Sequence, residues 1–221
     1  MIITIDGPAG SGKSTAARHL AKRLDVAFLD TGATYRAATL RALREGVDLT
    51  DKTALARCAR NATIQLDPDD GELRVLLDGR DVSREIRTSR VTDNVRHLAK
   101  SPEVREVLVD LQRRIGGQLG SFVTEGRDQG SVVFPDADVK FFLQADPAVR
   151  ARRRLSELRD AGEEVSFEAV LDAIEQRDRD DRNRPVGPLA EPEGAIEIDT
   201  TDLSPEQTVD ALEQHVKEAR S

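Results

Sequence analysis

Cysteine occurs once in the 221 residues, at Cys58. A single thiol excludes a disulfide within the chain and a cysteine-based metal centre. Tryptophan is absent, and the rings amount to six Phe and one Tyr, Tyr35. So few aromatics argue against a platform on which single-stranded nucleic acid stacks. Basic charge is in deficit as well: 33 Lys and Arg stand against 41 Asp and Glu, a net charge of −8. That balance argues against a binder of nucleic-acid backbones. No apolar run approaches the length of a membrane span, and the start of the chain lacks a basic segment ahead of a long apolar one. The expectation is a soluble protein of a reducing cytoplasm, without nucleic-acid or membrane partners.

What is present fits an ordinary globular domain, with 38% hydrophobic residues and 15 glycines. The length suits one domain with a small inserted lobe. No fixed-period repeat or low-complexity tract interrupts it. Residues 2–5 predict a short buried strand. Residues 7–12 are a glycine-rich loop, and residues 14–24 carry helical spacing, with Ala17, Leu20, Ala21 and Leu24 on one face. Residues 26–29 predict a second strand and residues 35–44 a helix stopped by Gly46. Alternation over residues 63–67, turn chemistry over 68–71 and at Asp78 and Gly79, and a β-like run over 72–77 predict an antiparallel meander.

Two helices should follow. Thr88 caps the first, Ser101 and Pro102 start the second, and Gly116 and Gly117 end it. Strands are expected at 122–124, 139–143 and 195–198. Helices are expected after Asp146 and Pro147, over about 167–184 beyond a break near Gly162, and after Ser204 and Pro205. Short apolar strands joined by helical crossovers predict a five-stranded parallel sheet covered by helices, an α/β fold with a small antiparallel β insert.

The segment Gly7, Pro8, Ala9, Gly10, Ser11, Gly12, Lys13, Ser14 has the spacing of a phosphate-binding P-loop, and Thr15 continues it into the helix. Glycines let the backbone curl so that several N–H groups point inward at phosphate oxygens. The following helix adds its positive end. Lys13 can reach the β and γ phosphates, and the Ser14 hydroxyl can ligate Mg²⁺. The motif sits between a predicted strand and a predicted helix, the context it requires.

A P-loop implies binding of a nucleoside triphosphate and leaves its use open: small-molecule kinase, GTPase switch or ATPase module. The Asn-Lys-x-Asp that selects guanine is absent. An ATPase wants an apolar strand ending in a metal-binding Asp, but Asp146 precedes Pro147 and reads more simply as a helix cap. Arg150, Arg153 and Arg154 share a helical face, as do Arg177, Asp181 and Arg184. Such a cluster is either an organised polar site or, more commonly, a solvated ladder of charges. Residues 30–36 (DTGATYR) follow the second strand, and Gly126, Arg127 and Asp128 follow a later one. Both fall at the carboxyl edge of the sheet, where such folds bind ligands, so Asp30, Arg36, Arg127 and Asp128 should converge near the P-loop.

Taken together the segments GPAGSGKS, DTGATYR, DGRDVSREIR (78–87), EGRDQGSVVFPDA (125–137) and RDRDDRNRP (177–185) resemble the bacterial cytidylate kinases, a branch of the nucleoside monophosphate kinases, over nearly the whole chain. The resemblance implies a P-loop nucleoside-kinase-like domain spanning 1–221. Its core would cover about 1–60, 87–146 and 186–221, with the β insert of the acceptor-binding lobe at about 61–86 and a helical lid at about 147–185. It implies transfer of the γ-phosphoryl group of ATP, with Mg²⁺, to CMP or dCMP by a monomer.

By position, Arg36 and Arg127 should hold the acceptor phosphate with Thr31 beside it, and Tyr35 should line the same site. Arg105 and Asp128 should face the cytosine edge. Arg177 and Asp181 should meet the sugar hydroxyls with Arg184 close by, while Arg150 and Arg153 close with the lid on the transferring phosphates. The chain departs from the family pattern at Thr34 (usually Met or Ile), Gln129 (usually apolar), Ser131 (usually Thr) and Arg96 (usually a small Ser near the cytosine). The three histidines, His19, His97 and His215, lie outside these motifs and are expected to be structural. A P-loop kinase for another acceptor, such as UMP, and a non-catalytic ATP-binding regulator are the alternatives.

Overall fold

The computed structural model describes residues 1–69, 72–160 and 162–219. The strands β1 (Ile2–Asp6), β2 (Ala27–Asp30), β6 (Phe122–Gly126), β7 (Val139–Gln144) and β8 (Ile196–Asp199) form the parallel sheet, in the order β2-β6-β1-β7-β8. Strands β3 (Ile64–Asp69), β4 (Glu72–Leu77) and β5 (Arg80–Asp81) form the predicted antiparallel meander. Of the turn expected at 68–71, residues 70 and 71 lie outside the described residues. Both sheets therefore match the sequence reading.

The chain divides into two compact units, residues 1–25 with 123–221 and residues 26–122. In the first, α1 (Lys13–Leu24) follows the P-loop, and α6 (Pro147–Asp160), α7 (Phe167–Arg182) and α8 (Pro205–Ala219) come later in the chain. β1 pairs with β7 from Ile3 opposite Val139 to Asp6 opposite Phe142, which brings the P-loop out beside the end of β7. Asp146 accepts hydrogen bonds from the Ala148 and Val149 amides, at 2.8 and 3.2 Å, and so caps α6 as expected. Ser204 and Gln207 cap each other reciprocally, Gln207 N–H to Ser204 Oγ at 3.1 Å and Ser204 N–H to Gln207 Oε1 at 2.8 Å, and start α8.

The second unit holds α2 (Thr31–Arg44), α3 (Lys52–Arg60), α4 (Ser89–Ala99) and α5 (Pro102–Leu119) around one apolar cluster. Ala33, Ala37, Ala38, Leu55, Val75, Ile86 and Leu108 are among its buried members. Helix α2 begins four residues before the predicted start, because the Asp30 side chain accepts from the Ala33 amide at 2.9 Å and caps it there. Helix α3, which the periodicity left unassigned, is capped the same way by Asp51 on Ala54. Thr88 stands before α4, but its hydroxyl donates to Glu85 O instead of capping the helix. Helix α5 runs through Gly116 and Gly117 and stops only at Gly120, where φ is +72°. The glycines do not end it, because Gly116 continues the buried face of Leu108 and Gln112.

Candidate active site

The P-loop occupies the turn from β1 to α1. Gly7 has φ +146°, and a Cβ there would lie 2.0 Å from the Leu143 carbonyl oxygen, so only glycine fits. Gly12, at φ +88°, supplies the left-handed step into α1. The loop is held from outside. The Arg150 guanidinium donates to Ala9 O at 2.9 Å, and the Thr200 hydroxyl donates to Ser11 O at 3.1 Å. Pro8, Ser11 and Lys13 are buried, while Gly10, Gly12, Ser14 and Thr15 are exposed.

Lys13 is 4% exposed, and its ammonium donates to Pro8 O at 2.6 Å and to Ser11 Oγ at 3.3 Å. Burial, with the Arg127 charge adding to it, lowers its pKa to about 7 against the pull of Glu125 and Asp6. Asp6 ends β1 directly before the loop and is fully buried. Burial raises its pKa to about 7, although the Gly130 and Gln129 amides donate to it. Ser14 Oγ donates to Glu125 Oε1 at 2.9 Å, joining the first turn of α1 to the carboxyl end of β6.

Arg127 follows β6 and donates through Nε to Asp181 Oδ2 at 2.8 Å. Arg184 bonds the other oxygen of Asp181. Asp181 is 3% exposed. Burial pushes its pKa up, but Arg127, Arg184 and Arg177 together outweigh burial and hold it below the ordinary range. The cluster is therefore an organised polar site and not a solvated ladder of charges. Arg184 joins it from beyond the end of α7, and Arg177 is exposed on α7.

The α6 arginines are not equivalent. Arg150 is buried, bonded to Ala145 O and Ala9 O at 2.9 Å each and paired with Asp178 at 2.8 Å. Arg153 is half-buried and donates to Thr200 O at 2.6 Å and Thr200 Oγ1 at 3.2 Å. Arg154 is an exposed partner of Glu157.

In the second unit Arg36 makes a two-contact pair with Asp30, at 2.9 and 3.2 Å. Its Nε is a buried donor without an acceptor among the described residues. Thr31 starts the same helix and is buried. The Arg105 guanidinium lies 5.9 Å from the Tyr35 ring centre, a cation–π distance, with Arg105 buried. Thr34 donates to Thr31 O at 2.7 Å and accepts from Gln112 at 2.9 Å, so the polar residue in an otherwise apolar place has its own partner. Arg96 is exposed.

Comparison with known proteins decides the family. The family model for cytidylate kinase matches residues 3–218. The chain belongs to the cytidylate kinase family. It is 50% identical to the cytidylate kinase of Caldanaerobacter subterraneus subsp. tengcongensis, over 97% of the chain and 94% of that protein. It is 47% identical to that of Pelotomaculum thermopropionicum, over 99% and 96%, and 45% identical to cytidylate kinase 1 of Haemophilus influenzae, over 95% and 90%. The family is one of nucleotide-binding phosphotransferases, which does not favour the reading as a non-catalytic regulator. No helix among the described residues is long and apolar enough to cross a membrane.

Two buried acidic residues near the P-loop, Asp6 and Glu125, are not among the candidates the sequence motifs single out. The signal was there: each ends or nearly ends an apolar strand, at the carboxyl edge of the sheet.

Proposed function

We propose that the chain transfers the γ-phosphoryl group of ATP to CMP and dCMP. The family match across residues 3–218 carries this reading. The charge around the P-loop agrees with it. A buried lysine stands in the glycine-rich turn, and Arg127 and Arg184 are held by the buried Asp181, an assembly of amides, ammonium and guanidinium groups suited to phosphate. Residues 7–15 hold the triphosphate of the donor, and Lys13 leaves the Pro8 carbonyl for the β and γ oxygens.

The Ser14 hydroxyl and the Glu125 carboxylate fit Mg²⁺, since both are hard oxygen donors and already lie 2.9 Å apart. No cluster of three or more His, Cys, Asp or Glu suited to a metal occurs among the described residues. Held by Ser14 and Glu125, Mg²⁺ would supply Lewis-acid stabilisation of the charge on the phosphates.

On the acceptor side, Arg36 and Arg127 hold the monophosphate, with Thr31 beside it. The buried, unsatisfied Nε of Arg36 supports that role. Arg105 and Asp128 read the cytosine edge next to Tyr35, and Arg177, Asp181 and Arg184 hold the sugar. The whole chain then works as one kinase domain. Its β insert, about 61–86, belongs to the acceptor lobe, and residues 147–185 form a lid that brings Arg150 and Arg153 to the transferring phosphates. A monomer suffices, because donor and acceptor groups all come from one chain.

The chemistry needs no dedicated base. The nucleophile is a phosphate oxygen of CMP, whose second pKa of about 6 leaves it largely ionised at neutral pH. Catalysis is then in-line positioning and stabilisation of charge. A closing lid keeps water from the donor.

A coupled assay with ATP, Mg²⁺ and a panel of CMP, dCMP, UMP and no acceptor tests the reading. CMP and dCMP should be turned over fastest, with slow ATP hydrolysis when acceptor is omitted. Fast hydrolysis without a phosphorylated acceptor, or preference for a non-cytidine acceptor, would overturn it.

A further inference from the structure

Asp6 has no place in the roles given above, yet it is a fully buried carboxylate at the end of β1, directly before the P-loop. Both oxygens are used, and both by backbone donors: Oδ1 accepts from the Gln129 amide at 2.8 Å and Oδ2 from the Gly130 amide at 2.7 Å. These amides belong to the wide helical turn Gln129–Val133 that directly follows Arg127 and Asp128. The turn is pressed against β1 a second time, because a Cβ on Gly130 would lie 2.8 Å from the buried Thr4 hydroxyl and 3.1 Å from the Pro192 ring. Gln129 ties the turn back to its own strand β6 as well, accepting from the Thr124 hydroxyl at 3.2 Å. One side chain thus bridges two backbone stretches, the one that opens the phosphate loop and the one that carries Arg127 and Asp128.

We propose that Asp6 is a positioning residue that sets the spacing between the phosphate cradle and the acceptor-binding pair Arg127 and Asp128. The inference rests on the acceptor roles proposed above for those two residues. In-line transfer depends on the separation of the two phosphates, and a displacement of about 1 Å can cost about 100-fold in rate. A carboxylate clamped by two amides fixes that separation, because movement of either stretch breaks both bonds. It is not a group that touches substrate, and its charge is not asked to take part in the reaction.

Asp6→Asn tests this. The amide keeps one acceptor oxygen but turns an NH₂ toward the second backbone N–H, so the turn must shift while its bulk and surroundings stay the same. Wild-type turnover of CMP is measured first and reports on the proposed function by itself. The variant is then compared with wild type, well below the melting midpoint of each, for affinity of a non-hydrolysable ATP analogue, for kcat and KM with CMP, and for the ratio of kcat/KM between CMP and UMP. The expected result is analogue affinity within about 3-fold of wild type, with kcat/KM for CMP down about 100-fold and the CMP-to-UMP ratio compressed, because Asp128 has moved with the turn.

Unchanged kinetics and ratio would overturn the proposal. So would parallel loss of analogue and CMP affinity at an unchanged ratio, which is what general loosening of the fold produces. Should Asp6→Asn fail to fold, Gly130→Ala puts the question from the other side. Its Cβ pushes the turn off β1 at the Thr4 contact and should give the same split, and wild-type behaviour there would equally overturn the proposal.

Discussion

Residues 26–122 and the unit built from residues 1–25 and 123–221 both carry exposed arginine–carboxylate pairs, Arg154–Glu157 and Arg179–Glu175 among those of the latter, but the pairs nearest the P-loop lie deeper. In the former, Arg44–Glu85 and Arg74–Asp81 are exposed at both ends, and Arg41 meets the exposed Glu45 and Asp78. In the latter, Arg127–Asp181 and Arg184–Asp181 are largely buried and Arg150–Asp178 is buried at both ends, with Lys13 and Asp6 buried beside the P-loop. Exposed pairs contribute between about 0 and 1 kcal/mol. Buried ones lose hydration that mutual attraction only partly restores, so stability alone does not account for them. The proposed phosphate-binding role of the P-loop unit gives those buried charges a reason that stability does not. The other unit packs an apolar cluster, and among its described pairs Arg44–Glu85 and Arg74–Asp81 stay in water.

Lys13 gives the largest test of that contrast. Lys13→Met should lower kcat about 10²–10³-fold, as expected for loss of one preorganised charge at the transferring group. It should also raise the melting midpoint of the ligand-free protein at pH 7 by a few degrees. The sign follows from the direction of the shift. The folded pKa, about 7, lies below the ordinary lysine value, so between the two the unfolded chain binds more protons than the folded one. Stability of the wild type should therefore rise with pH from about 7 to 10, and the variant should lack that rise. Calorimetry over this range checks it, and a variant that melts below wild type at pH 7 would contradict the account.

Arg127→Met comes next. It leaves Asp181 buried with one close partner fewer, at a cost of about 3 kcal/mol by denaturant titration, and it should slow turnover with every acceptor. Asp128→Ala should mainly reduce discrimination between CMP and UMP.

The comparison is sharpened from the other unit by Leu108→Ala. Leu108 is fully buried in the apolar cluster, and its truncation should cost about 2–5 kcal/mol. Nucleotide KM values measured well below the midpoint should stay unchanged. The smallest effect belongs to Arg44→Ala, where loss of the exposed pair with Glu85 should change stability by less than about 1 kcal/mol. A larger change would show that surface pairs in this unit matter more than their exposure suggests.

Local chemistry fixed most of what was legible beforehand. The P-loop spacing, the Asp146 cap, the Pro-started α5 and α8 and the alternating meander each depend on residues within a few positions of one another. Where local rules competed, the sequence misled. Gly116 and Gly117 suggested a stop, but packing of the α5 face carried the helix past them. Asp30 was read as part of a ligand loop, yet it also caps α2 and so shortens that loop.

Which charges are buried, and against what, was settled only by the tertiary structure. Ser14 meets Glu125 across 111 positions, and Asp6 meets Gly130 across 124. Hydropathy marks Asp6 and Glu125 merely as polar ends of apolar strands. Burial is a property of the assembled sheet and not of any window of sequence. The lowered pKa of Lys13, the pinned carboxylate of Asp6 and the split between Arg150 and Arg154 exist only once distant segments have excluded water together.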